Sequence, residues 1–190
     1  MKILGIVCSP RLHGNTETLL QESLAKAQEG GAEIELVALA GKTISPCDGC
    51  CSCEKTGECH IKDDMQDIYN KLLEADGIIF GTPVYYWNVS AQAKALIDRT
   101  YAFRVERKLR NKVAGVVVTA ERNGSTSAVA AFNSFFTLQK LIMVGRAIGY
   151  SGEEGYLDKE AVKKDKEGMT EAVALGRTIV KYIQSHKIPS

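Results

Sequence analysis

The chain lacks a surplus of either charge and lacks any long apolar run. Its 24 Lys and Arg face 23 Asp and Glu over 190 residues, leaving a formal charge of +1. Nucleic-acid binding without base readout needs a broad basic field, so no nucleic-acid partner is expected. No stretch approaches the roughly 18 apolar residues that cross a bilayer. Residues 1–8 carry one Lys and too short an apolar stretch for a secretory signal. A cytoplasmic protein with no membrane partner is expected. Histidine is scarce as well: His13, His60 and His186 have no spacing that suggests a metal site.

What is present is 45% apolar side chains, enough for one domain over residues 1–190 that buries its core without disulfides. Six cysteines stand out, and Cys47, Cys50, Cys51, Cys53 and Cys59 crowd into 13 residues while Cys8 stands alone. With no export signal, such density points to metal or redox chemistry rather than a disulfide frame.

Apolar runs at 2–7, 77–81, 113–119 and, more briefly, 147–150 read as core strands, and 33–37 alternates like an outer one. Helical patterns lie between them: 16–29 with Asn15 as cap, 63–75 opened by Asp63 and Asp64, 89–101, 127–144 and 165–184. Strands alternating with helices predict an α/β fold, a three-layer, doubly wound sheet of five parallel strands. The cysteine-rich segment 45–62 is a loop inserted after the second strand. Helix 127–144 is too apolar for one stripe, from core burial or from a face that pairs copies of the chain.

Ligands of such sheets bind outside the carboxyl ends of the strands. After the first strand come Ser9, Arg11, Asn15 and Thr16, which read either as an ordinary capped turn or as an anion site at a helix start, suited to phosphate. After the third, Pro83, Val84, Tyr85, Tyr86, Asn88 and Ser90 offer aromatic faces and backbone amides to a flat heteroaromatic ring, unless the aromatics are core or interface residues. Together these loops imply FMN.

Ser9-Pro10-Arg11 with Gly14-Asn15-Thr16, and Gly81-Thr82-Pro83-Val84-Tyr85-Tyr86 with Asn88-Val89-Ser90-Ala91 through Lys94 and Ile97-Asp98-Arg99, resemble the flavodoxin-like NADPH-dependent FMN reductase superfamily. Within it, Cys47-Asp48-Gly49-Cys50-Cys51-Ser52-Cys53 with Cys59 and Asp63-Asp64-Met65 is similar to the iron-sulfur flavoproteins. The resemblance covers nearly the whole chain. Trp87 stands where relatives often have a small residue, and loop 119–125 has fewer glycines than the superfamily's.

Cys47, Cys50, Cys53 and Cys59 form C-x2-C-x2-C-x5-C. Spacing and resemblance together favour a 4Fe-4S cluster on these four; zinc is the rival, since four thiolates also satisfy a tetrahedral ion, and free thiols come third. Cys51 is the spare, Cys8 a small buried side chain, and His60 a solvated loop residue or a neighbour of the cluster. The resemblance implies electron transfer from a ferredoxin-type donor through the cluster to FMN, and on to a small-molecule acceptor such as a quinone, oxygen or peroxide. Two alternatives stand beside it: an NAD(P)H-dependent FMN or quinone reductase with structural cysteines, and an electron carrier with no turnover. The protein is expected to be a homodimer or homotetramer.

Overall fold

The computed structural model describes residues 1–186. Five strands, β1 (Lys2–Val7), β2 (Glu33–Ala38), β3 (Gly77–Pro83), β4 (Val113–Ala120) and β5 (Ile142–Tyr150), form one parallel sheet in the order β2-β1-β3-β4-β5. Every residue of β4 is buried, as a strand covered on both faces requires. One face is covered by α1 (Asn15–Glu29) and α6 (Lys166–Ser185), which set Leu19, Leu20, Leu24, Leu175 and Ile179 against the sheet. The other is covered by α3 (Met65–Glu74), α4 (Ala91–Arg99) and α5 (Ser125–Gln139), with Phe80 of β3 ringed by Phe132, Phe135 and Phe136.

Two glycines set the layer spacing. A Cβ at Gly5 would stand 2.7 Å from methyls of both Leu20 and Leu24, so those leucines can lie directly on β1. One at Gly176 of α6 would come within 2.1 Å of the Ser23 carbonyl, so α1 and α6 touch backbone to backbone.

The structure departs from the sequence reading at element ends. The helix expected to run to residue 144 stops at Gln139, because Lys140 turns left-handed (φ 62°) and Leu141 N–H closes onto the Phe136 carbonyl. The apolar run that follows is β5, nine residues long instead of four, which removes the surplus from the helix. Asn15 is the first residue of α1 and Gly14 its cap, and α4 starts at Ala91 on the Ser90 cap. Asp63 and Asp64 precede α3 and bind the far end of the cysteine segment: Asp64 Oδ2 accepts from Thr43 N–H at 2.6 Å and Asp63 Oδ2 from Ser45 N–H at 2.9 Å. Among the described residues no helix is long and apolar enough to cross a membrane.

Candidate functional site

The loops after β1, β3, β4 and β5 meet at one edge of the sheet, as the parallel topology dictates. There a narrow cleft of about 120 Å³ is lined by Ser9, Arg11, Asn15, Thr16, Pro83, Val84 and Tyr85, joined by Thr119 to Glu121 after β4 and by Ser151, Gly152 and Gly155 after β5. Seven of the ten residues expected to hold a cofactor thus share one cleft. Tyr86, Asn88 and Ser90 do not line it. Ser90 is fully buried, its hydroxyl donating to the Cys8 carbonyl and accepting from Ala93 N–H at 3.1 Å.

The cleft is polar at its α1 end. Thr16 and Thr119 hydroxyls bond each other at 2.5 Å, and Ser9 Oγ accepts from Arg11 N–H at 3.1 Å. The Gly14 cap has no side chain to bond the first N–H groups of α1, where the positive end of the helix lies. Arg11 Nη1 donates to the Gly155 carbonyl at 3.2 Å. Asn15 Nδ2 donates to the Asp158 carbonyl at 3.0 Å, and its Oδ1 accepts from Val162 N–H at 2.8 Å. Those bonds hold the segment after β5 over the cleft. The sequence signal for that segment was its place alone: Ser151 and Gly152 directly follow a core strand on the ligand-binding edge.

Beside the cleft a wider recess of about 360 Å³ is lined by Val84, Tyr86, Trp87, Glu121, Arg122 and Asn123, sharing Val84 and Glu121 with it. Tyr85 to Asn88 is a tight hairpin whose central Tyr86 and Trp87 both have positive φ, 46° and 62°. That conformation is one Asn-Gly adopts readily and two aromatics adopt at a cost. Tyr86 is wholly exposed and Trp87 two-thirds exposed. Gly124 braces the hairpin from behind, where a Cβ would meet Trp87 Cα at 2.8 Å. A polar slot at a helix start, opening into an aromatic-lined recess, fits a ligand with an anionic tail and a flat head.

The cysteine segment lies against α4 and α5. Cys47, Cys50, Cys51, Cys53 and Cys59 line a cavity of about 610 Å³ whose other wall is Lys94, Ile97, Arg99, Ala131, Phe135 and Leu138 among others. Cys53 and Cys59 are half-buried on the core; Cys47, Cys50 and Cys51 are exposed. Burial pushes the Cys53 thiol up, and its neighbours Cys59, Cys47 and Cys50 add to the rise. Cys59, Cys47 and Cys50 are each close enough to Cys53 to act on it. Tetrahedral zinc would draw sulfurs to about 3.8 Å apart, given Zn–S of about 2.3 Å. Among the described residues, only Asp48, Cys50 and His60 bring three metal-ligating atoms within 4.8 Å of one another.

Neighbouring elements hold this segment at several points. Glu54 of the short helix α2 (Cys53–Thr56) accepts from Tyr101 OH, and Lys108 Nζ donates to the Gly57 carbonyl at 3.3 Å; within the segment itself His60 Nε2 meets Asp48 Oδ2 at 2.8 Å. Backbone N–H of Cys50 and the His60 ring hold the Asp48 carboxyl below its ordinary range. Burial works to raise Asp63, but Arg99 and the N–H groups of Ser45 and Met65 outweigh it, and the carboxyl is held low.

The model of the family described as NADPH-dependent FMN reductase matches residues 1–154. An iron-sulfur flavoprotein of Methanocaldococcus jannaschii is 40% identical over 189 residues, covering 97% of this chain and 98% of its own. The chain belongs to the iron-sulfur flavoproteins of the NADPH-dependent FMN reductase family. Another iron-sulfur flavoprotein, from Methanosarcina thermophila, is 37% identical over 155 residues, 80% of this chain and 81% of its own. The flavodoxin-like fold of the family recurs in solved structures. A flavone reductase superposes with a TM-score of 0.76 at 19% identity, covering 97% of this chain, which spans 63% of the reductase. A Trp repressor binding protein from Bacillus subtilis gives 0.68 at 20% identity, over 91% of this chain and 98% of its own. Membership in the iron-sulfur flavoproteins assigns the chain a flavin-linked redox role.

Proposed function

We propose that this chain is an FMN-dependent oxidoreductase that takes single electrons from a ferredoxin-type donor at a 4Fe-4S cluster and passes them from FMN to a small-molecule acceptor, a quinone, oxygen or peroxide. The observation that carries the proposal is the pairing, in one chain, of a four-thiol cavity with a separate cleft shaped for an anion and a ring. Cys47, Cys50, Cys53 and Cys59 hold the cluster, and their C-x2-C-x2-C-x5-C spacing together with the kinship to iron-sulfur flavoproteins supports it over zinc. Arg11, Ser9, Thr16 and the first N–H groups of α1 bind the FMN phosphate. Val84 and Tyr85 orient the ring edge, and Tyr86 and Trp87 shield a ring face from water. When bound, the cluster supplies one-electron chemistry and the flavin joins one-electron to two-electron steps.

Anaerobic purification followed by iron, sulfide and zinc analysis tests this. About four irons per chain with broad visible absorption beside flavin bands is the expected result; stoichiometric zinc without iron overturns it. A second reading, direct reduction of FMN by NADPH, is favoured by the match to the reductase family over residues 1–154. Rapid flavin bleaching by NADPH, with none from reduced ferredoxin, would select it.

A further inference from the structure

Arg99 closes α4 with its side chain fully buried, between the cysteine segment and the helices behind it. Nη1 donates to the Ser45 carbonyl at 2.9 Å and to Asp63 Oδ2 at 2.7 Å; Nη2 donates to the Ile61 carbonyl at 3.1 Å and to Asp63 Oδ1 at 3.1 Å. Ser45 and Ile61 are the two ends of the cysteine loop, so one guanidinium draws its ends together through the Asp63 fork. A guanidinium has a further N–H, on Nε. In Arg99 that Nε is buried and has no partner among the described residues. A buried donor left unmade is costly, and charged ones more so. The side chain lines the same cavity as Cys47, Cys50, Cys53 and Cys59, and Cys59 is among the groups close enough to act on it. The Tyr69 hydroxyl, which donates to the Arg99 carbonyl at 2.7 Å, is within reach of both the Arg99 side chain and Cys59, on the same side of the cavity.

We propose that Arg99 is a positioning residue with two tasks: it clamps the ends of the cysteine loop, and its Nε–H donates to the Cys59 side of the bound cluster, stabilising the reduced state. The inference rests on the cluster reading above and adds a residue outside the cysteine motif. A donor aimed at a cluster sulfur offsets the extra negative charge of reduction, and outer-shell hydrogen bonds are among the protein's means of setting cluster potentials.

Anaerobic redox titration of Arg99→Lys and Arg99→Gln against wild type tests the claim. Both variants should bind iron and be harder to reduce. Loss of the donor should lower the reduced-to-oxidised ratio at a fixed potential by about tenfold, which is about 59 mV for a one-electron couple. The donor role is read from Arg99→Lys, which keeps the charge, because Arg99→Gln lowers the potential by charge loss alone; a loaded Arg99→Lys with the wild-type potential overturns it. Pulsed electron paramagnetic resonance on the reduced wild-type protein, with arginine alone labelled with nitrogen-15, needs no variant to fold. A nitrogen-15 coupling to the cluster that disappears in a loaded Arg99 variant supports the assignment, and absence of coupling in wild type overturns it. A wild-type protein that binds zinc and no iron overturns the cluster reading and the donor role together, whereas iron with no arginine coupling overturns the donor role alone.

Discussion

The sheet-edge cleft and the cysteine loop are joined by one helix and held by different physics. α4 is capped by Ser90, whose buried hydroxyl is tied to the Cys8 carbonyl beside the cleft, and ends at Arg99, whose guanidinium is tied to both ends of the loop. The cleft is a product of topology: four parallel strands end together, and their loops have nowhere else to meet. Its polar contacts are many and individually small. The loop belongs to no strand or long helix, and its ends converge on one buried ion pair, Arg99 with Asp63. A cleft of the first kind tolerates the loss of any one contact; a loop of the second kind depends on a few residues.

That contrast can be broken most severely at the ligands. Cys59→Ala should take iron from about four per chain to near zero while bound flavin stays at its wild-type ratio, measured by metal analysis beside the flavin spectrum. If flavin is lost as well, the two sites are not independent. Asp63→Ala comes next, because it strands the buried Arg99 charge. Urea unfolding should show a loss of about 3–5 kcal/mol. The same carboxylate gives a pH dependence. Its folded pKa lies below its unfolded value, so its stabilisation is complete above about pH 4 and is lost as pH falls through the folded pKa. In Asp63→Ala this part of the acid sensitivity should vanish.

On the cleft side the effects are smaller. Arg11→Ala removes one charge-assisted contact of about 1.5–3 kcal/mol and should weaken FMN binding roughly 10- to 100-fold, with iron content unchanged. Trp87→Gly should show the smallest and most divided effect. The hairpin gains by losing a left-handed aromatic, worth about 1–2 kcal/mol, so the melting temperature rises, while FMN affinity drops by about 1 kcal/mol from the lost ring contact. A rise in both would mean that the tryptophan serves something other than the flavin.

The fold was legible because each core strand is a continuous apolar run and each helix has a stop or a cap in the chain. β5 was underestimated because its boundary is Lys140 in a left-handed turn, a role the sequence usually marks with glycine. The cleft's first two loops were legible from chemistry that only a ligand or a cap would use. Ser151, Gly152 and Gly155 were missed because a small residue after a strand has no chemistry of its own; only the sheet edge gives it a role. The cysteines announced themselves by density. Arg99 could be seen only as part of a family resemblance, since nothing in sequence ties residue 99 to residues 45 and 61.

The bonds from Arg11 and Asn15 to Gly155, Asp158 and Val162 join the cleft to the segment after β5. With FMN in the cleft as proposed, cofactor occupancy and local opening of that segment become one equilibrium seen from two sides. Proteolytic nicking between residues 153 and 164 should slow as FMN is added, so a gel can serve as a gauge of how much of a preparation carries its flavin.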